Sequence, residues 1–197
     1  SKKIIFEGNN YSDEWVKEAA KRKLGNIKDS PSALEIFLRK ENVALFEKHN
    51  IYSPRELHAR VEIEWENYIK KVQIEARIMG DLAINHIIPA AIEYQNKLIA
   101  NVKGLKDAGL PETAYASQQA ILTDVSKHIQ VVYIKVTEMV EARKIANNMT
   151  DTRTKAIAYC SQVKEAFFDE IRYSVDKLEH LVSDEEWTLP KYRELLM

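Results

Sequence analysis

The sequence predicts an all-α protein, an elongated antiparallel bundle of three long helices with a smaller N-terminal helical segment. Three observations point there. Only 5 Gly and 5 Pro interrupt 197 residues of which 30% are charged, the composition of long, solvent-facing helices. Apolar residues recur at helical spacings of three and four, and no stretch alternates as a strand would. Helix-start residues stand immediately before each long periodic stretch.

The N-terminal "KKIIFE" reads as the end of an extended segment with partners elsewhere. Ser12 can then cap a helix whose first turn carries Asp13 and Glu14, with Gly25 placed to end it. "SPSALE" opens the next helix, with Ser30 as cap and Pro31 in the first helical position, running towards His49 with a break near Glu41. In "SPRE", Ser53 and Glu56 make a capping box around Pro54, which starts the first long helix. That helix is expected over 54 to 103, with Gly104 as its stop, and spans about 75 Å at 1.5 Å per residue. After the turn in "GLKDAGLPE", the positions Gln118, Leu122, Val125, Ile129, Val132, Val136, Met139, Arg143 and Ala146 form a coiled-coil seam, predicting a helix over 111 to 147. Thr150 or Asp151 caps the third, over 151 to 182, whose apolar stripe is Cys160, Val163, Phe167, Ile171, Val175, Leu178 and Val182. "SDEEWTLPKYRELLM" reads as a short terminal turn. The division expected is 1–52, an extended segment with short helices, and 53–197, the long-helix bundle.

The longest helix is apolar on two sides. Its main face holds Val61, Trp65, Tyr68, Val72, Ala76, Met79 and Ala83, whereas Ile63, Ile74, Ile78, Ile88 and Ile92 lie nearly opposite. A helix of that kind is sandwiched, so the second set are interface candidates. Pro89 interrupts the pattern and predicts a kink, because it removes the bond to the carbonyl of Asn85 and clashes with that turn at a cost of about 3 kcal/mol.

Residues able to carry chemistry are sparse. The residues three before the five histidines are Phe46, Arg55, Ala83, Val125 and Lys177, so no Glu-x-x-His motif builds a di-iron centre. Neither a His-Glu-x-x-His nor a cysteine pair is present for zinc, and no glycine stands in a phosphate-loop pattern. Cys160 is the single cysteine and lies on an apolar stripe, which makes it a core thiol. Glu75 and His86, near the main apolar face, read as edge residues satisfied by neighbouring cations. No catalytic, cofactor or metal residue is assigned. Lys plus Arg number 29 against 30 Asp plus Glu, a balance that favours neither nucleic acid nor an acidic membrane. Without a membrane-length apolar run or a signal peptide, the expectation is a cytoplasmic protein.

Long phrases then carry a resemblance over practically the whole chain. "FEGNNYSDEWVKEAAKRKLGN", "ALFEKHNIYSPRELHARVEIEWENYIKKVQIEARIMGDLAINHIIPAAIEYQNKLIANVKGLK", "MVEARKIANNMTDTRTKAIAYC" and "FFDEIRYSVDKLEHLVSDEEWTLPKYRELLM" together resemble the C-terminal region of type III glutamine synthetases. The resemblance implies a parent enzyme that uses ATP and Mg or Mn to join ammonia to glutamate through a γ-glutamyl phosphate. Its catalytic motifs belong to a part that precedes this segment and match no position here. It further implies a helical structural and assembly region, inactive alone, whose partners are the remainder of the subunit and neighbouring subunits in a stacked-ring homo-oligomer. The alternatives are a free-standing helical interaction or signalling module and an enzyme with a bundle-core site at Glu75 and His86.

Overall fold

The computed structural model describes residues 5 and 7–196, and every regular element among them is helical. Lys2, Lys3, Ile4 and Phe6 of the expected extended segment lie outside the described residues. Two compact units divide between Glu64 and Trp65, within the helix that starts at Pro54.

In the N-terminal unit, Ser12 caps α1 (Asp13–Lys21) by accepting from the Trp15 amide at 3.4 Å. The helix stops before Gly25. Lys23 takes the left-handed conformation at φ 59°, and its amide and that of Leu24 bond back to Ala20 and Ala19, closing a Schellman turn without glycine. α2 (Ser30–Glu35) is capped by Asp29, whose carboxylate accepts from Ser32 at 2.7 Å; Ser30, the expected cap, is already helical. A 3-10 turn (Ile36–Leu38) leads to the break at Arg39, and α3 (Lys40–Lys48) ends in a second Schellman turn on Asn50 at φ 52°. Phe46 packs between Phe37 and Tyr52, and the Arg60 guanidinium covers the Tyr52 ring at 4.5 Å.

The capping box forms as the sequence requires. Ser53 donates its amide to Glu56 Oε2 at 2.8 Å and accepts the Glu56 amide on its hydroxyl at 3.3 Å. The Ser53 amide first, and its hydroxyl, which donates to the same Oε2 at 2.7 Å, hold the Glu56 carboxyl below its usual range. α4 (Pro54–Leu82) follows and passes into a π turn (Ala83–Ile87) and then α5 (Ile88–Asp107). In the π turn the Ile88 amide reaches Ala83 O, five residues back, immediately before Pro89, which has no amide to offer. The helix runs through Gly104 and ends at Gly109, φ 77°, where the Leu110 and Gly109 amides bond to Leu105 and Lys106. Gly104 therefore sits inside a helix with open space where a Cβ would go. Gly104→Ala is expected to raise stability by about 0.5–1 kcal/mol, read as an increase in the melting temperature.

A short 3-10 turn (Glu112–Ala114) precedes α6 (Ala116–Asn147), so the second long helix starts a turn later than its periodicity suggests. Asp151 caps α7 (Thr152–Ala158), accepting from Thr154 at 2.7 Å; a second π turn (Tyr159–Lys164) joins it to α8 (Glu165–Leu181). Within the second unit the long helices are antiparallel neighbours. Gln73 bonds Asn147 at 3.0 Å and Gln95 bonds Ser126 at 2.6 Å between the first and second, while Lys135 pairs with Glu170 at 3.4 Å between the second and third. The seam residues Val125, Val132, Val136, Met139 and Ala146 are buried, as are Val163, Ile171, Leu178 and Val182 of the third stripe. Gly80 of α4 faces α6, where a Cβ would stand in ordinary contact with Val136 at 3.5 Å. Asn147 Oδ1 accepts from both Gln73 and the Tyr159 hydroxyl, the latter at 2.6 Å, so the largest fully buried side chain of the unit is also hydrogen-bonded.

His128 occupies the face between α6 and α8, its ring edge-on to Tyr173 at 6.2 Å and its buried Nδ1 without a hydrogen-bond partner among the described residues. Burial lowers its pKa, Lys127 and Lys177 lower it further, and Asp124 opposes them. The unfolded chain, with an ordinary histidine near 6.5, therefore takes up the proton first as pH falls. This contribution to stability is full above that value and is lost below it. Melting curves between neutral and acid pH are expected to slope less in His128→Gln than in the unaltered protein.

Candidate functional site

The exposed isoleucines of the longest helix lead to an apolar concavity of the second unit. Ile74 and Ile78, 56% and 54% exposed, line an apolar groove of about 550 Å³ together with Ile87 of the π turn, Phe168 and Val175 of α8, and Leu195 near the C-terminus. Helical spacing places Ile74 and Ile78 one turn apart on a single face.

One wall of the groove is the segment after α8, and it is held by a polar clamp. Lys191, 8% exposed, donates to Val182 O at 2.9 Å, pairs with Asp184 at 2.8 Å and lies over the Trp187 ring at 5.8 Å. Arg193 pairs with the same aspartate. Lys191 first, and Arg193 after it, hold the Asp184 carboxyl below its usual range. Buried Glu179 accepts the Tyr192 amide at 2.8 Å, and the Tyr192 ring lies under the Arg172 guanidinium at 5.1 Å. A segment that reads as a simple terminal turn is thus a fixed wall. Its sequence signal was the concentration of Trp187, Leu189 and Leu195 after the last long helix. Lys191→Met is expected to loosen this wall by about 1–3 kcal/mol, because it leaves the buried Val182 carbonyl without its donor and Asp184 with Arg193 alone. Limited proteolysis should then cut after Val182 sooner than in the unaltered chain.

The remaining sequence candidates separate. Ile63 is exposed and belongs to the N-terminal unit. Ile88 is half-buried, while Ile92 is exposed but does not line the groove. An i→i+5 turn takes in one residue more than an α turn, so residues beyond Ile87 are rotated by about 100° from the phase that Ile74 and Ile78 set. Pro89 follows that turn and is itself exposed. Glu75 lines the groove rim, exposed, and His86 is half-buried within the π turn. Cys160 is buried, with Sγ 3.6 Å from Glu165 Oε1. Among the described residues no group of three or more His, Cys, Asp or Glu could hold a metal ion, and no helix is long and apolar enough to cross a membrane.

Known proteins place this arrangement. The chain is 42% identical to a glutamine synthetase of Bacteroides fragilis (strain YCH46) over 200 residues, covering 100% of this chain and 27% of that protein. It is 31% identical over 195 residues to a glutamine synthetase of Butyrivibrio fibrisolvens, covering 99% of the chain and 28% of the relative. A type-3 glutamine synthetase of Dictyostelium discoideum is 29% identical over 201 residues, at 98% and 27%. The chain thus spans little more than a quarter of the length of the relatives it matches. Residues 1–106 match the family described as the glutamine synthetase C-terminal domain. With that match over more than half of its length, and relatives that cover it from end to end, the chain belongs to the glutamine synthetase family, in its C-terminal domain.

Proposed function

We propose that this chain is the helical, non-catalytic assembly region of a type III glutamine synthetase, and that the groove walled by Ile74 and Ile78 receives another part of that enzyme. The observation that carries the reading is an open apolar groove on a chain that spans only 27% of its 42%-identical relative. Isoleucines left half exposed on a rigid helix gain free energy when covered, at about 25 cal/mol per Å² of apolar surface. The occupant is the remainder of the synthetase, either the same subunit or a neighbour in a stacked-ring homo-oligomer. The complete enzyme ligates ammonia to glutamate with ATP and Mg or Mn in the cytoplasm, and the residues that bind those groups lie outside this chain.

Two measurements test this together. A coupled assay with ATP, magnesium or manganese, glutamate and ammonia is expected to show turnover by the complete subunit and none by this chain alone. Sizing of the complete subunit against one lacking this region is expected to show loss of the assembled form. Glutamine formed by the chain alone, or unchanged assembly without it, would overturn the reading.

A further inference from the structure

The second unit holds two arginines that form no ion pair among the described residues. Arg22, Arg172 and Arg193 are each ion-paired, whereas Arg77 on α4 and Arg143 on α6 have neither an ion pair nor a side-chain hydrogen bond among the described residues. Arg143 is the less expected of the two. It stands on the buried seam of α6, seven residues after Val136 and three before Ala146, and is half-buried. A guanidinium carries five N–H donors and stays charged at every working pH, so burying part of it without an acceptor is unfavourable.

Helix register brings the second cation to the first. Gln73 is bonded to Asn147, and Gly80 faces Val136 and Met139. One turn onward from Gln73 is Arg77, and one turn back from Asn147 is Arg143, so the antiparallel pair sets the two arginines level with one another. Tyr159 marks the same place from the third helix. Burial raises the pKa of its hydroxyl, and the Arg143 charge, the neighbouring Gln73 amide and the Arg77 charge oppose that rise. Both charges therefore act on the Tyr159 hydroxyl, which is fixed by its bond to Asn147.

We propose that Arg77 and Arg143, set level beside the Gln73–Asn147–Tyr159 hydrogen bonds, form a binding site for a phosphate group. Each guanidinium offers a planar fork that matches two oxygens, and a phosphate has enough oxygens to receive a fork on each of two edges. Its charge of about −1.5 to −2 near neutral pH offsets both cations, whereas a single carboxylate leaves one uncompensated. This site lies apart from the apolar groove, and it stands or falls without the assembly role.

The test is titration of the full chain with inorganic phosphate, adenosine monophosphate and succinate in chloride buffer at constant ionic strength, by calorimetry. Phosphate also strengthens apolar burial in general, so the difference between variants is the readout and a rise in melting temperature alone is not. Binding of inorganic phosphate identifies free phosphate as the source, and binding of the nucleotide alone identifies a phosphate ester; either supports the site. Arg143→Gln and Arg77→Gln are each expected to weaken binding by about ten-fold or more, while Arg143→Lys keeps the charge, loses the fork and falls between. Arg39→Gln, at an exposed position of the N-terminal unit, is expected to change nothing. Circular dichroism in chloride checks that each variant is folded, and exposed Arg77 decides the matter if Arg143→Gln is not. Absence of phosphate binding, equal binding by the arginine variants, or equal binding of succinate would each overturn the proposal.

Discussion

In the complete synthetase subunit, Ile74→Ser combined with Ile78→Ser is expected to shift the assembled enzyme towards smaller species while leaving the fold of this region intact. Each side chain is already about half covered by its own unit, so only about half of the 1.5–3 kcal/mol of full burial remains to be gained from a partner. Two residues then contribute about 1.5–3 kcal/mol per interface, a loss of roughly ten- to more than a hundred-fold in association. Serine adds the cost of burying two hydroxyls. Ile and Ser have similar helix propensity, so the exposed positions should not weaken α4 itself. Sizing of the complete enzyme together with the melting temperature of this chain separates the outcomes. Unchanged assembly would show that the groove is solvated surface, and a large drop in the melting temperature of the chain would show that the pair is internal core.

Tyr159 carries the second large effect, and a graded series divides it into parts. Tyr159→Phe keeps the ring and removes the bond to Asn147 Oδ1, at an expected cost of about 1 kcal/mol, because Gln73 still donates to that oxygen. Tyr159→Ala empties a fully buried site between three helices, at about 3–5 kcal/mol. In a chain of this size each kcal/mol corresponds to about 2–4 °C in melting temperature. Urea denaturation of both variants reads the ratio. Equal losses would mean that the hydrogen bond, rather than the packing, holds the turn between α6 and α7.

Much of the helical scheme was legible because its signals are local. Ser12, Ser53 with Glu56, and Asp151 cap where the sequence places caps, since a short polar side chain bonds an amide two or three residues ahead whatever surrounds it. Other ends were less legible. Asp29 and Ser30 are both competent caps, and the conformation at residue 29 decides between them. Lys23 and Asn50 take the left-handed turn that glycine usually takes, because the turn closes two backbone bonds at each site and these offset the strain. Gly104 offers an end that the helix does not use, since Gly109 has the open left-handed geometry five residues later.

The candidate face divides in the same way. Periodicity alone identified Ile74 and Ile78 as turned away from the core of the longest helix, and the helix-rich composition with its turn positions determined three antiparallel neighbours. Only the tertiary structure decided that a π turn before Pro89 rotates Ile88 and Ile92 off that face, that Lys191 and Glu179 fix the terminal segment as a groove wall, and that Arg77 stands level with Arg143. Helical period and capping are set by residues within one or two turns, whereas the phase beyond a π turn, the docking of a terminal segment and the register between helices depend on contacts between residues far apart in the chain.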